Sequence, residues 1–263
     1  MDKKQKNNPV GRSTKFVSVA AKETPFAYVE AYKSLRTNIG FLSNVSGVRS
    51  ILITSAIPME SKSTTAINLA ITLADSGHSV VLVECDLRKP ILRKYLKREL
   101  GQTGLAAYLA GLVTLDDCIV DLTDLGISVI GAGVVPPNPS ELLNTTRMQE
   151  LVELLKHNYD YVILDLPPVG EVSDALAITK ETDGMLLVVR QDYCDRIVLN
   201  ETVQQFDFIN AKILGVVFNC TGEHGGKYYM YYSSMPETST DVHQQTMRVA
   251  VSDTPDGPFE YAA

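Results

Sequence analysis

Ile51-Leu52-Ile53-Thr54-Ser55-Ala56-Ile57-Pro58-Met59-Glu60-Ser61-Lys62-Ser63-Thr64 joins a short apolar run to a polar loop that opens into a helical pattern. The run 51–54 is continuous and β-branched, as in a parallel strand buried on both faces. Beyond the loop, Ile67, Ala70, Ile71 and Ala74 recur at i, i+3, i+4 and i+7, and Gly77 follows as a stop signal. Strand, loop and helix in this order form the context of a Walker A phosphate loop. In such a loop, backbone N–H groups and the helix N-terminus surround a β-phosphate. The lysine reaches the β and γ oxygens, and the following hydroxyl holds Mg²⁺. Lys62, Ser63 and Thr64 match these roles, with Met59, Glu60 and Ser61 supplying the loop backbone. A capped surface helix can also carry Lys-Ser-Thr, so the reading needs support from elsewhere in the chain.

That support lies in the neighbouring strands. Five more apolar runs, 80–83, 127–130, 161–164, 185–189 and 213–218, alternate with helix-like segments. The pattern predicts an α/β fold, a parallel sheet with helices on both faces. Ligands of such sheets bind beyond the carboxyl ends of the strands. Glu84 and Asp86 stand two residues apart at the end of the second run, and alternation places them on one face. Asp165 ends the run 161–164 in Walker B placement. Any one of these acids could be a helix cap or a loop-start carboxylate. Three at one sheet edge are hard to attribute to capping.

Composition sets the limits. The 263 residues are 45% hydrophobic, enough for one large core, and the chain reads as one domain with tails. No stretch supplies the roughly 18 consecutive apolar residues of a membrane span, and no apolar segment follows the charged N-terminus as in a secretory signal. The expectation is a cytoplasmic protein. A net charge of −7 argues against sequence-independent nucleic-acid binding. Cys85, Cys118, Cys194 and Cys220 lack metal-site or redox spacing and read as reduced thiols.

These residues together resemble the bacterial tyrosine kinases of the CpsD/CapB type, the cytoplasmic kinases of capsular and exopolysaccharide export. The likeness rests on the loop ending Lys62-Ser63-Thr64, on Glu84-Cys85-Asp86-Leu87-Arg88 and on the segment from Tyr161 through Pro168. Pro136-Pro137-Asn138-Pro139-Ser140-Glu141-Leu142-Leu143, Asp174-Ala175-Leu176 and Gly215-Val216-Val217-Phe218-Asn219 extend it. The resemblance implies a P-loop kinase using ATP and Mg²⁺, with autokinase activity that regulates polysaccharide synthesis and export. It implies that Lys62 is catalytic, that Asp86 and Glu84 supply the base and metal contacts, and that Ser63 and Asp165 join Asp86 at Mg²⁺. Asn219 becomes a candidate adenine contact by analogy with related ATPases.

Thr24 and Pro25 suit N-cap and N1 of a helix that carries Glu30, Lys33 and Arg36 within one arc. The family places a Glu-x-x-Arg-x-x-Arg motif there to pack subunits into a ring, so these residues are the expected homo-oligomer contacts. Tyr228, Tyr229, Tyr231 and Tyr232 form a cluster that the resemblance marks as autophosphorylation sites. The glycines before it suggest a flexible tether. The resemblance also implies a membrane adaptor of the polysaccharide co-polymerase type that recruits the chain to the inner face of the plasma membrane, and a cognate tyrosine phosphatase. The expected organisation is a flexible basic segment over 1–24, the kinase domain over 25–221 and a flexible tail over 222–263. Residues 233–263 carry a net charge of −4 and are expected to be disordered.

The loop departs from the family pattern. Met59 and Ser61 stand where the family has glycine, Glu84 where it has aspartate, and Leu166 where it commonly has threonine. Glycine there permits positive φ and close backbone approach to phosphate. A second reading is therefore a scaffold with impaired catalysis. A third, a partitioning-type ATPase, needs a lysine five residues before Lys62, where this chain has Ile57.

Overall fold

The computed structural model describes residues 18–170, 178–191 and 193–219 in full, and the backbone of 228–234, 246–252 and 260–261. Seven strands form one sheet: β1 (Ser50–Ser55), β2 (Val80–Glu84), β3 (Ile119–Leu122), β4 (Ile127–Ile130), β5 (Tyr161–Asp165), β6 (Gly184–Arg190) and β7 (Ile213–Asn219). Their order is β3-β4-β2-β5-β1-β6-β7. Every pairing is parallel except β3 with β4. The six expected strands are all present. The four-residue β3 was not read from the sequence: it is an antiparallel edge strand, largely half-buried, and it lacks the continuous apolar character of the others.

Alternation along each strand feeds two cores. Ile51, Ile53, Leu82, Ile163 and Val188 face a layer containing α1 (Phe26–Ser46), α2 (Lys62–Ala74) and α3 (Leu92–Leu96). Leu52, Val83, Leu164 and Leu187 face α4 (Leu105–Leu109), α5 (Pro139–Leu143), α6 (Thr146–Asn158) and α7 (Arg196–Phe208). A three-residue 3₁₀ turn at Thr179–Glu181 precedes β6. Because the central strands are parallel, Ser55, Glu84, Asp165, Arg190 and Asn219 all end at one edge.

One expectation about the start of α1 is corrected. Pro25, not Thr24, is the N-cap of α1, since Tyr28 and Val29 donate to its carbonyl. Thr24 turns its hydroxyl to the Ser18 carbonyl instead. Residues 18–24 are tied down, with Val19 N–H donating to Asn68 Oδ1 at 3.0 Å. Beyond β7 the backbone runs through three antiparallel strands: β8 (Tyr228–Ser234), β9 (Thr246–Ser252) and β10 (Glu260–Tyr261). Aromatic residues in β8 and the alternating Val249 and Val251 of β9 suit a pleated pair. Residues 1–17, Asp174-Ala175-Leu176, Cys220, the glycines before the tyrosine cluster, and Glu237, Asp241, Asp253 and Asp256 lie outside the described residues. Among the described residues, no helix is long and apolar enough to cross a membrane.

Candidate functional site

The loop between β1 and α2 has left-handed backbone at two places, Met59 with φ 66° and Ser61 with φ 68°. These are the two positions at which the sequence lacks glycine. The loop therefore keeps a conformation that favours glycine while carrying side chains there, at roughly 1 to 3 kcal/mol per site. The surroundings hold it in place. Glu60, fully buried, accepts from Ile57 N–H and Arg190 N–H, both at 3.0 Å, and so ties the loop to the end of β6. Burial raises the proton affinity of the Glu60 carboxyl against these backbone donors. Val169 and Gly170 donate to the carbonyls of Ser55 and Ala56. A Cβ on Gly170 would stand 2.7 Å from the Ala56 oxygen, so only glycine fits that approach.

Lys62 opens α2 and reaches Asp86, with Nζ 3.2 Å from Oδ2. Burial alone would lower the lysine's affinity for its proton, but the facing carboxylates of Asp165 and Asp86 outweigh it and raise the ammonium above the ordinary value. The other Asp86 oxygen accepts from Lys89 N–H at 3.0 Å. Asp165, at the tip of β5, is fully buried. Burial pushes its carboxyl up to about 6, against the lowering influence of Lys62 and Ser63. Among the described residues, no donor completes a hydrogen bond to either Asp165 oxygen.

Buried carboxylate oxygens without donors, beside the Ser63 hydroxyl, fit a hydrated divalent cation. Mg²⁺ is commonly held by one or two carboxylates together with substrate phosphates. No group of three or more His, Cys, Asp or Glu residues among the described residues forms a metal cage, and a phosphate-borne ion needs none.

Glu84, offered by the resemblance as a base or metal contact, is engaged by backbone donors. One of its oxygens accepts from Ile91 and Leu92 N–H at 2.5 and 2.7 Å, and the other from Ala132 N–H at 3.1 Å. The carboxylate satisfies the N-terminal donors of α3 and joins them to the end of β4, so it braces the site. Asn219 stands at the end of β7 paired with Arg190, the residue whose N–H holds Glu60. This places Asn219 beside the loop. On α1, Lys33 pairs with Glu30 at 2.6 Å, while Arg36 donates to the Thr72 carbonyl of α2 at 3.1 Å. Arg36 is thus engaged within its own subunit. Tyr228, Tyr229, Tyr231 and Tyr232 lie on β8.

A cleft of about 780 Å³ runs from the loop to α3, lined by Met59, Ser61, Lys62, Ser63, Asp86 and the α3 side chains around Tyr95. The α3 wall was not read from the sequence, although its charges were visible there.

The open parallel sheet, the glycine-less phosphate loop and the acids at neighbouring strand tips define a P-loop nucleotide-binding domain. Residues 60–213 match the AAA domain family model. The chain is 33% identical over 202 residues to tyrosine-protein kinase CpsD of Streptococcus agalactiae, covering 77% of this chain and 87% of that protein. It is 34% identical over 205 residues to tyrosine-protein kinase YwqD of Bacillus subtilis, covering 78% and 86%. Among solved structures, the kinase domain of the Escherichia coli tyrosine kinase ETK superposes with a TM-score of 0.72 at 31% identity, covering 82% of this chain and 87% of that one. The chain belongs to the bacterial tyrosine kinase family.

Proposed function

We propose that the chain is an ATP-dependent protein-tyrosine autokinase that regulates capsular or exopolysaccharide synthesis and export. The observation that supports this best is the loop itself, which holds left-handed backbone at Met59 and Ser61 and presents Lys62 between Asp86 and Asp165. Ser63, Asp165 and one oxygen of Asp86 would hold Mg²⁺ with the phosphates, and the ion would supply charge neutralisation for phosphoryl transfer. Lys62 leaves Asp86 for the phosphate oxygens, which frees the Asp86 Oδ2 to take the tyrosine proton. The tyrosine oxygen bonds to the γ-phosphorus as the β–γ bridging bond breaks, giving phosphotyrosine and ADP.

The scaffold reading is favoured by one specific observation: Met59 is 51% exposed and lines the cleft, where the family has glycine. Phosphotyrosine on the full chain, incubated with Mg-ATP and its membrane adaptor, decides between the two. The kinase reading expects signal from the native chain and none from Lys62→Met. A native chain that also stays blank leaves the scaffold.

The same proposal includes recruitment by that adaptor. Deleting residues 1–15, whose net charge is +4, should leave membrane association intact while the adaptor is present. Association that survives without the adaptor and disappears with the basic segment overturns the assignment.

A further inference from the structure

Residues 88–98, Arg88-Lys89-Pro90-Ile91-Leu92-Arg93-Lys94-Tyr95-Leu96-Lys97-Arg98, carry six basic side chains and no acid in a chain whose net charge is −7. The fold brings this stretch alongside the phosphate loop, because Glu84 anchors the Ile91 and Leu92 N–H groups and Asp86 holds Lys89 N–H. Some of its cations are already used. Arg93 pairs with Glu99, Arg98 pairs with Asp124, and Arg88 donates to Ser140. Lys94 and Lys97 are exposed, line the cleft, and make no ion pair among the described residues. Among the described residues, Asp86 is the sole carboxylate of the lining, and it faces Lys62. Between the two lysines, half-buried Tyr95 adds aromatic surface.

We propose that Lys94 and Lys97 form an acceptor-side subsite that selects tyrosines flanked by acidic residues, the substrate being an acidic tyrosine-bearing peptide. The proposal rests on the kinase reading. Asn219 and the adenine it would meet lie at β7, across β6, β1 and β5 from β2 and the α3 that follows it, so the α3 side of the loop is left for the acceptor. Asp86, the group that would take the acceptor's proton, borders the same wall. Charge complementarity names the occupant. The chain's own tyrosine cluster is followed by Glu237 and Asp241 with no intervening basic residue.

The test uses the full chain and a fluorescent peptide spanning residues 228–241, followed by anisotropy at low ionic strength, where exposed charges are least screened. The native chain should bind this peptide about tenfold tighter than the same peptide carrying Glu237→Lys and Asp241→Lys. The double variant Lys94→Glu/Lys97→Glu should reverse the order, binding the basic peptide better, and Lys94→Ala/Lys97→Ala should fall between. The reciprocal gain excludes simple misfolding, because an unfolded variant loses both peptides.

Equal binding of the two peptides, or an unchanged preference in the reversed variant, overturns the subsite. So does a charge-reversal effect seen only on vesicles of anionic lipid. Peptide binding needs no phosphoryl transfer, so the two readings fail separately. A chain that selects the acidic peptide but never phosphorylates it sinks the kinase reading alone. A chain that phosphorylates both peptides with equal KM sinks the subsite alone.

Discussion

Replacing Met59 and Ser61 together by glycine should stabilise this protein, opposite to the usual effect of adding glycine. An L-residue in left-handed backbone is strained by roughly 1 to 2 kcal/mol, and φ is 66° at Met59 and 68° at Ser61. Glycine removes that strain but loses more conformational freedom on folding, at a cost of roughly 0.5 to 1 kcal/mol per residue. The difference, taken over both sites, is a gain of about 1 kcal/mol. For a domain of this size that raises Tm by about 2 to 4 °C. Ser61→Ala keeps a Cβ in the strained region and should bring no gain. Thermal unfolding of the three proteins gives the stability, and titration with Mg-ATP gives the affinity. The doubly substituted loop should bind ATP more tightly, since the Met59 side chain no longer borders the cleft. A lower Tm in the double variant refutes the left-handed assignment of the loop. A higher Tm with an unchanged dissociation constant refutes the idea that these side chains obstruct the nucleotide.

Asp165→Asn should abolish phosphoryl transfer while stabilising the fold near neutral pH. The Asp165 carboxyl is pushed by burial up to about 6, so folding favours its protonated form. Its contribution is therefore intact below pH 4 and is lost as pH rises to about 6. The advantage of Asn over Asp should grow across that window to about 1 to 3 kcal/mol, the upper figure being roughly two pKa units and the lower allowing for the lost attraction to Lys62. Urea unfolding at pH 4.5 and 7.5 checks this, and an advantage that does not change with pH refutes it. Glu84→Ala should act in the opposite direction, leaving two buried N–H groups and the part-buried Ile91 N–H without their acceptor. At roughly 1 kcal/mol or more each, the loss is about 3 kcal/mol, read as a Tm lower by about 6 to 12 °C. A Glu84→Ala protein as stable as the native chain would show that water replaces the carboxylate.

The contrast between Glu84 and its neighbours shows where the sequence stops being informative. Six strands were legible because each carries a continuous apolar run, buried on both faces in β1, β2, β5 and β6. The edge strand Ile119–Leu122 has solvent on its flank and carries no such mark. Lys62 was legible through its spacing from β1 and α2, and Asp165 through its place at a strand tip. Both are local facts. Glu84 looked the same, a carboxylate at the end of a buried strand two residues from Asp86. Its actual role depends on Ile91, Leu92 and Ala132, the last of them 48 positions away in the chain, and nothing in the local pattern records that approach. The same limit applied to residues 89–98, which carried no reading of their own until the Glu84 brace set α3 against the loop. One carboxylate thus departs from the catalytic set and explains why the basic wall is there at all. By satisfying the first N–H groups of α3, Glu84 fixes the helix whose Lys94 and Lys97 face the cleft. Weakening that brace should therefore loosen both the fold and any selection of acceptor that those lysines exert.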